Sequence, residues 1–120
     1  YVDDGIAALM KILENKNDVC KNQIINIGNP DNECSVQELA GILKKLFQEH
    51  PDHQNDSIYS EIIEVPADTY YGKGYQDIYT RKPSIEKARN LLGWEPKIDL
   101  LESMRLTLNS FLEENKAVTL

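Results

Sequence analysis

Fifteen consecutive residues, Tyr70-Tyr71-Gly72-Lys73-Gly74-Tyr75-Gln76-Asp77-Ile78-Tyr79-Thr80-Arg81-Lys82-Pro83-Ser84, carry four tyrosines, two glycines and three cations. Tyrosine rings stack on a base or a sugar, glycine lets backbone come close, and arginine forks onto phosphate or carboxylate. Holding so many rings and cationic heads in one loop costs conformational entropy, which an occupant between them would offset. The alternative is a surface loop whose rings cap a small core, and composition alone does not separate the two. Arg81 stands just ahead of Pro83-Ser84, which reads as a helix start, so its guanidinium and a positive helix end can address one anion. Tyr75 lies in the same loop and can bring a ring or a hydroxyl to that pocket.

Other arrangements are weaker. Gly72-Lys73-Gly74 is a bare GxG, without the third glycine of a dinucleotide turn or the pattern of a phosphate loop. Tyr70 and Lys73 are three apart, not the four that stacks a catalytic Tyr–Lys couple on one helix face. No Ser/His/Asp or Cys/His set is legible, and His50 and His53 flank Pro51 in a polar stretch that reads as a solvated loop. Asp3, Asp4, Asp99 and Glu102 sit at helix starts, where capping accounts for them.

The elements that must position this loop follow from periodicity. Ile6, Leu9, Met10 and Leu13 predict an amphipathic helix ending near Asn15-Lys16-Asn17. Gln23–Ile27 reads as a short strand, apolar enough for burial on both faces as in a parallel sheet, and stopped by Gly28-Asn29-Pro30. Ser35-Val36-Gln37-Glu38 is a capping box opening a second helix through Phe47. A polar loop over residues 49–57 leads to a second strand over Ile58–Val65. A third helix runs through Ile85, Ala88, Leu91 and Leu92 and ends at Gly93, and a fourth opens on Asp99-Leu100-Leu101-Glu102. The expected fold is therefore α/β: about four helices with a short two-stranded parallel sheet.

At 120 residues the chain is expected to form one domain, with 41% apolar and 28% charged residues. A formal charge of −7 argues against nucleic acid or an anionic membrane as partner, and the local cations at 73, 81 and 82 suit one small anionic ligand better. Cys20 and Cys34 lack metal spacing and read as free thiols, and with no membrane-spanning run or signal peptide a cytoplasmic location is expected. Two strands cannot make a useful sheet alone, so one apolar face is expected to need the rest of a longer chain or another copy, a homo-oligomer.

Several motifs together resemble a known family. Tyr1-Val2-Asp3-Asp4-Gly5, Asn26-Ile27-Gly28-Asn29-Pro30, Arg81-Lys82-Pro83-Ser84 and Leu92-Gly93-Trp94-Glu95-Pro96 are similar to the C-terminal third of extended short-chain dehydrogenases/reductases that act on nucleotide sugars. The YYGKGYQD loop joined to RKPS narrows this to the UDP-glucuronate decarboxylases, including the dehydrogenase half of the bifunctional polymyxin-resistance enzymes. The resemblance spans essentially the whole chain and diverges near residues 52–57.

The resemblance implies a UDP-sugar-binding lobe over residues 1–120, lacking the NAD-binding Rossmann domain, which would lie N-terminal to Tyr1. In such enzymes NAD takes a hydride from C4 of UDP-glucuronate. The β-keto acid then loses CO2 to leave a UDP-4-ketopentose, used in the aminoarabinose modification of lipid A. Tyr75 and Arg81 match the family's substrate-binding residues, and Arg81 its catalytic one. Because a guanidinium barely deprotonates, Arg81 suits a fixed cation that orients the substrate and steadies the enolate. The isolated chain is expected to be inactive and to bind neither NAD nor metal. Related epimerase, 4,6-dehydratase or UDP-xylose synthase lobes, and a non-catalytic binding or oligomerisation module, are the alternatives.

Overall fold

The structure, a computed structural model, describes residues 1–53, 61–74 and 80–118, with side chains as far as Glu114. Among the described residues all regular structure is helical: α1 (Val2–Glu14), a 3-10 turn (Lys16–Asp18), α2 (Val36–Glu49), α3 (Ala67–Tyr71), α4 (Glu86–Leu92) and α5 (Leu100–Val118). Contacts gather in two compact units, one formed by Tyr1–Glu33 with Lys82–Leu120 and the other by Cys34–Arg81.

The first unit contains the core. Ala8, Ile85, Ala88, Leu92 and Trp94 are its buried apolar residues, with Ile12, Cys20, Ile25, Ile27 and Leu91 packed half-buried against them. Ala8 and Ala88 are wholly buried, and their short side chains let α1 and α4 approach closely. Gly93 ends α4 in the left-handed region (φ 56°), where the absence of a Cβ removes the steric cost. Its N–H donates to Arg89 O at 3.0 Å, and that turn swings Trp94 back under the helix.

Asp4 links the two halves of this unit. Its Oδ2 accepts from the backbone N–H of Lys97 and of Ile98, both at 3.0 Å. Its carbonyl accepts from Trp94 Nε1 at 3.0 Å. The side chain is 8% exposed. Asp4 therefore does not cap its own helix; it terminates otherwise unpaired donors more than ninety residues away. This bond orients α1 so that Asp4, Ala8 and Ile12 face inward. Ile6, Leu9, Met10 and Leu13, the stripe that announced the helix, are each more than half exposed.

The expected α/β fold is not what the chain forms: no strand occurs among the described residues, so the two-stranded parallel sheet is withdrawn. Gln23–Ile27 keeps a strand-like alternation, with Ile25 and Ile27 half-buried on the core and Ile24 84% exposed. One open face replaces the two covered faces that burial in a parallel sheet requires. Its polar groups reach α4 and the segment before it instead, through Lys87 Nζ to Gln23 Oε1 (3.3 Å) and Asn26 Nδ2 to Ser84 O (3.4 Å). A strand exists only where a neighbour accepts its ladder bonds, and this segment has none among the described residues. Of the second expected strand, residues 58–60 lie outside the described residues and 61–65 are exposed and irregular.

In the second unit the capping box at the start of α2 is complete. Glu38 N–H donates to Ser35 Oγ at 3.1 Å and Ser35 N–H to Glu38 Oε2 at 2.7 Å. At the other end Phe47 and His53 stack at 4.4 Å, so His53 is half-buried rather than a solvated loop residue. Gln37 Nε2 donates to Glu64 Oε1 at 2.9 Å, tying α2 to the segment before α3.

Two outcomes test these contacts. Asp4→Ala strands two backbone donors and should lower stability of the chain by about 3 kcal/mol in urea unfolding. The Glu38 carboxyl is held below its ordinary value of 4.5, chiefly by the Ser35 N–H and then by the Ser35 hydroxyl. A lowered folded value means the stabilisation is fully present above 4.5 and fades as pH falls through that lowered value. Glu38→Gln should therefore flatten the acid limb of a plot of urea midpoint against pH, leaving the neutral region parallel to wild type.

Candidate functional site

The tyrosine-rich loop begins with α3, a single helical turn entered through Pro66. Tyr70 and Tyr71 close that turn and meet edge to face at 4.8 Å. Both rings are open to solvent, at 75% and 63% exposure. Gly72 (φ 92°) and Gly74 (φ 94°) follow in a backbone region that other residues enter only under strain. Lys73 is exposed between them. Because α3 stops at Tyr71, Lys73 lies beyond the helix end and forms no one-face couple with Tyr70. Tyr75 lies outside the described residues, so its expected role has no geometry here.

Arg81 is exposed at the far end of the loop, in irregular backbone. α4 begins five residues later, at Glu86, is only seven residues long and carries an acidic residue in its first turn. The sequence argument that a helix end reinforces Arg81 therefore finds no support in α4. Among the described residues the loop exposes the Tyr70 and Tyr71 rings and the cations Lys73 and Arg81. No group of three metal-ligating side chains occurs among the described residues.

Two of the motifs that carry the family resemblance meet in the first unit. Gly28 packs on Pro83 so closely that a Cβ built on it would sit 2.9 Å from Pro83 Cγ. Asn26 bonds Ser84 O next to it. The turn at Gly28-Asn29-Pro30 is thereby fastened to the segment that leaves Arg81. Glycine at 28 is required by this approach and not by any unusual φ.

A cleft of about 510 Å³ lies nearby in the same unit, lined by Asn29, Asn32, Arg89, Glu95, Ile98 and Asp99 among others. The two asparagine amides are committed to Ile98 O, at 3.0 Å from Asn29 and 3.4 Å from Asn32. Arg89 Nε meets Glu95 Oε1 at 2.7 Å. These groups hold the Trp94–Asp99 turn in place, and Asp4 holds it from the other side. Sequence reasoning missed this seam. Its one legible sign was Asn29 before a proline, a residue type that bonds local backbone, as Asn29 Oδ1 does by accepting from Asp31 N–H at 3.0 Å.

No family model matches the chain. Among solved structures it is similar to the PbgP3 protein from Burkholderia pseudomallei, with a TM-score of 0.62 and 37% identity. The match covers 88% of this chain and 26% of that one, so this chain spans about a quarter of the length of PbgP3. No helix among the described residues is long and apolar enough to cross a membrane.

The Gly28–Pro83 contact has a direct consequence. Gly28→Ala should lower stability by about 1–2 kcal/mol, because the new methyl displaces the proline ring. Urea unfolding of the two proteins side by side measures it.

Proposed function

We propose that this chain is the UDP-sugar-binding part of an NAD-dependent UDP-glucuronate oxidative decarboxylase that makes a UDP-4-ketopentose for aminoarabinose modification of lipid A. The observation that carries the reading is the YYGKGYQD loop joined to RKPS, within a chain 37% identical to PbgP3 over 88% of its length. The exposed Tyr70 and Tyr71 rings and the exposed Lys73 and Arg81 are the chemistry that a nucleoside diphosphate sugar requires.

NAD, bound by a Rossmann domain outside this chain, would supply the hydride acceptor. The residues here do not fit a dinucleotide: Gly72-Lys73-Gly74 follows a single helical turn and lacks the third glycine. No redox step is therefore assigned to this chain. Its own part is binding and charge. Arg81 pairs with the substrate's anionic groups, and its permanent charge stabilises the enolate left when CO2 departs, without gaining or losing a proton. Tyr75 lines the sugar from the same loop.

Calorimetric titration of UDP and UDP-glucuronate into the chain, with NAD alongside, tests the reading. Both UDP compounds should bind and NAD should not. Arg81→Ala should weaken UDP-glucuronate by about 10- to 100-fold, the worth of one charge-assisted hydrogen bond of about 1.5–3 kcal/mol. Binding of NAD, or an unchanged affinity in Arg81→Ala, would remove this assignment.

A further inference from the structure

Of the chain's six glycines, Gly28 is the one whose added Cβ would meet another group among the described residues, Pro83 Cγ at 2.9 Å. Its φ lies outside the left-handed region that favours glycine. Glycine in ordinary backbone loses more conformational freedom on folding than any other residue. What position 28 gains for that loss is contact with one proline ring. Beside it Asn26 Nδ2 donates to Ser84 O at 3.4 Å from an exposed position, where the bond adds nothing to the core. Two neighbouring contacts thus converge on residues 83 and 84. Both lie within the first unit, which joins Tyr1–Glu33 to Lys82–Leu120.

What these contacts hold is the root of Arg81. Ile85, 3% exposed, sets the segment in the core from behind. Ahead of it Pro83 has its φ fixed by its ring, and a residue before proline is confined to extended backbone, which restricts Lys82. Between the Gly28 contact and Arg81 there is therefore a single residue, and a restricted one. A side chain so rooted has few backbone angles left to search. An arginine that must meet an anionic group gains from this, because freedom given up before binding is not lost again on binding. The backbone freedom of one residue is worth about 5- to 30-fold in a binding constant.

From this placement we infer that Gly28 and Asn26 are positioning residues: they fix residues 83 and 84, so that Arg81 meets the anionic group of its ligand with little backbone freedom left to lose. This rests on the reading of Arg81 as the cation that binds a UDP-sugar. It adds the two residues on which that cation depends. Neither needs to touch the ligand, since both act through Arg81.

Two measurements on the complete natural polypeptide that contains this chain test the inference. The variants are Gly28→Ala and the milder Asn26→Asp, which keeps the shape and removes the donor. The first measurement reads the segment itself. Trypsin cuts after arginine and spares Lys82 because a proline follows, so the Arg81–Lys82 bond reports on residues 81–83. Its cleavage, timed by mass spectrometry, should become about 5-fold faster or more in both variants, relative to the bond after Arg105 in α5. The second is calorimetric titration of UDP-glucuronate. Gly28→Ala should weaken binding by about 5- to 30-fold and Asn26→Asp by about 2- to 10-fold, and neither should weaken it further in an Arg81→Ala background. A loss of the same factor with and without Arg81 would mean a merely structural role and overturn the inference. Unchanged affinity, or unchanged cleavage, in both variants would overturn it as well. Should Gly28→Ala not fold, Asn26→Asp, at the surface, carries both measurements alone. If Arg81→Ala itself leaves the affinity unchanged, the UDP-sugar assignment of Arg81 falls, and the cleavage rates still decide whether Gly28 and Asn26 hold the segment.

Discussion

One carboxylate organises the first unit. Asp4 accepts two backbone N–H groups from Lys97 and Ile98 while its own carbonyl takes the Trp94 indole. The three bonds join the first helix to the turn before the last, across most of the sequence. A buried carboxylate is tolerable only when its lone pairs are engaged, and here the donors are backbone amides that only a proline at 97 or 98 would remove. The remaining features of the unit depend on it: the inward face of α1, the seat of Trp94, and the position of the seam that Asn29 and Asn32 close from the opposite side.

That constraint also explains the economy of the core. With α1 rotated by Asp4, two alanines rather than the larger aliphatics sit at its contact with α4. Polar bonds take over part of what bulk would otherwise supply. Lys11 Nζ reaches Leu92 O at 3.1 Å, and Asn15 Oδ1 accepts from Cys20 N–H at 2.9 Å as the chain leaves α1. The second unit has a different character, with a fully capped helix and half-buried aliphatics but no buried residue on α2 or α3. Its exposed tyrosines thus belong to a part of the chain whose order depends more on local hydrogen bonds than on packing.

Local chemistry was legible in the sequence and long-range partnership was not. Ser35 with Glu38 and the left-handed Gly93 are decided within a few residues, and both appear as the sequence implies. The same holds for the existence of α1, α2, α4 and α5, whose periodicity is a property of each segment alone. Gln23–Ile27 failed as a strand because β-structure is a relation between two segments, and apolar alternation says nothing about whether a second one is present. The orientation of α1 was not legible for a related reason. Its hydrophobic stripe identifies a helix but not which side faces inward, and Asp4 overrode it through partners at positions 97 and 98. Of the candidate site, Arg81 and the exposed tyrosines were visible by residue type, whereas the Gly28–Pro83 approach depends on two turns meeting in space.

The first unit is assembled from the two ends of the chain, with residues 34–81 threaded out between them. On a ribosome this sets an order of events. Asp4 emerges before its partners, and the amides that satisfy it are made more than ninety residues later. At about 5–20 residues per second, that is roughly 5–20 seconds of synthesis. Throughout that interval α1 has neither the donors for its carboxylate nor Trp94, whereas the capping box of α2 closes between residues three apart. The part of the chain that presents the tyrosines can therefore take shape before the first unit, whose long-range bonds close last.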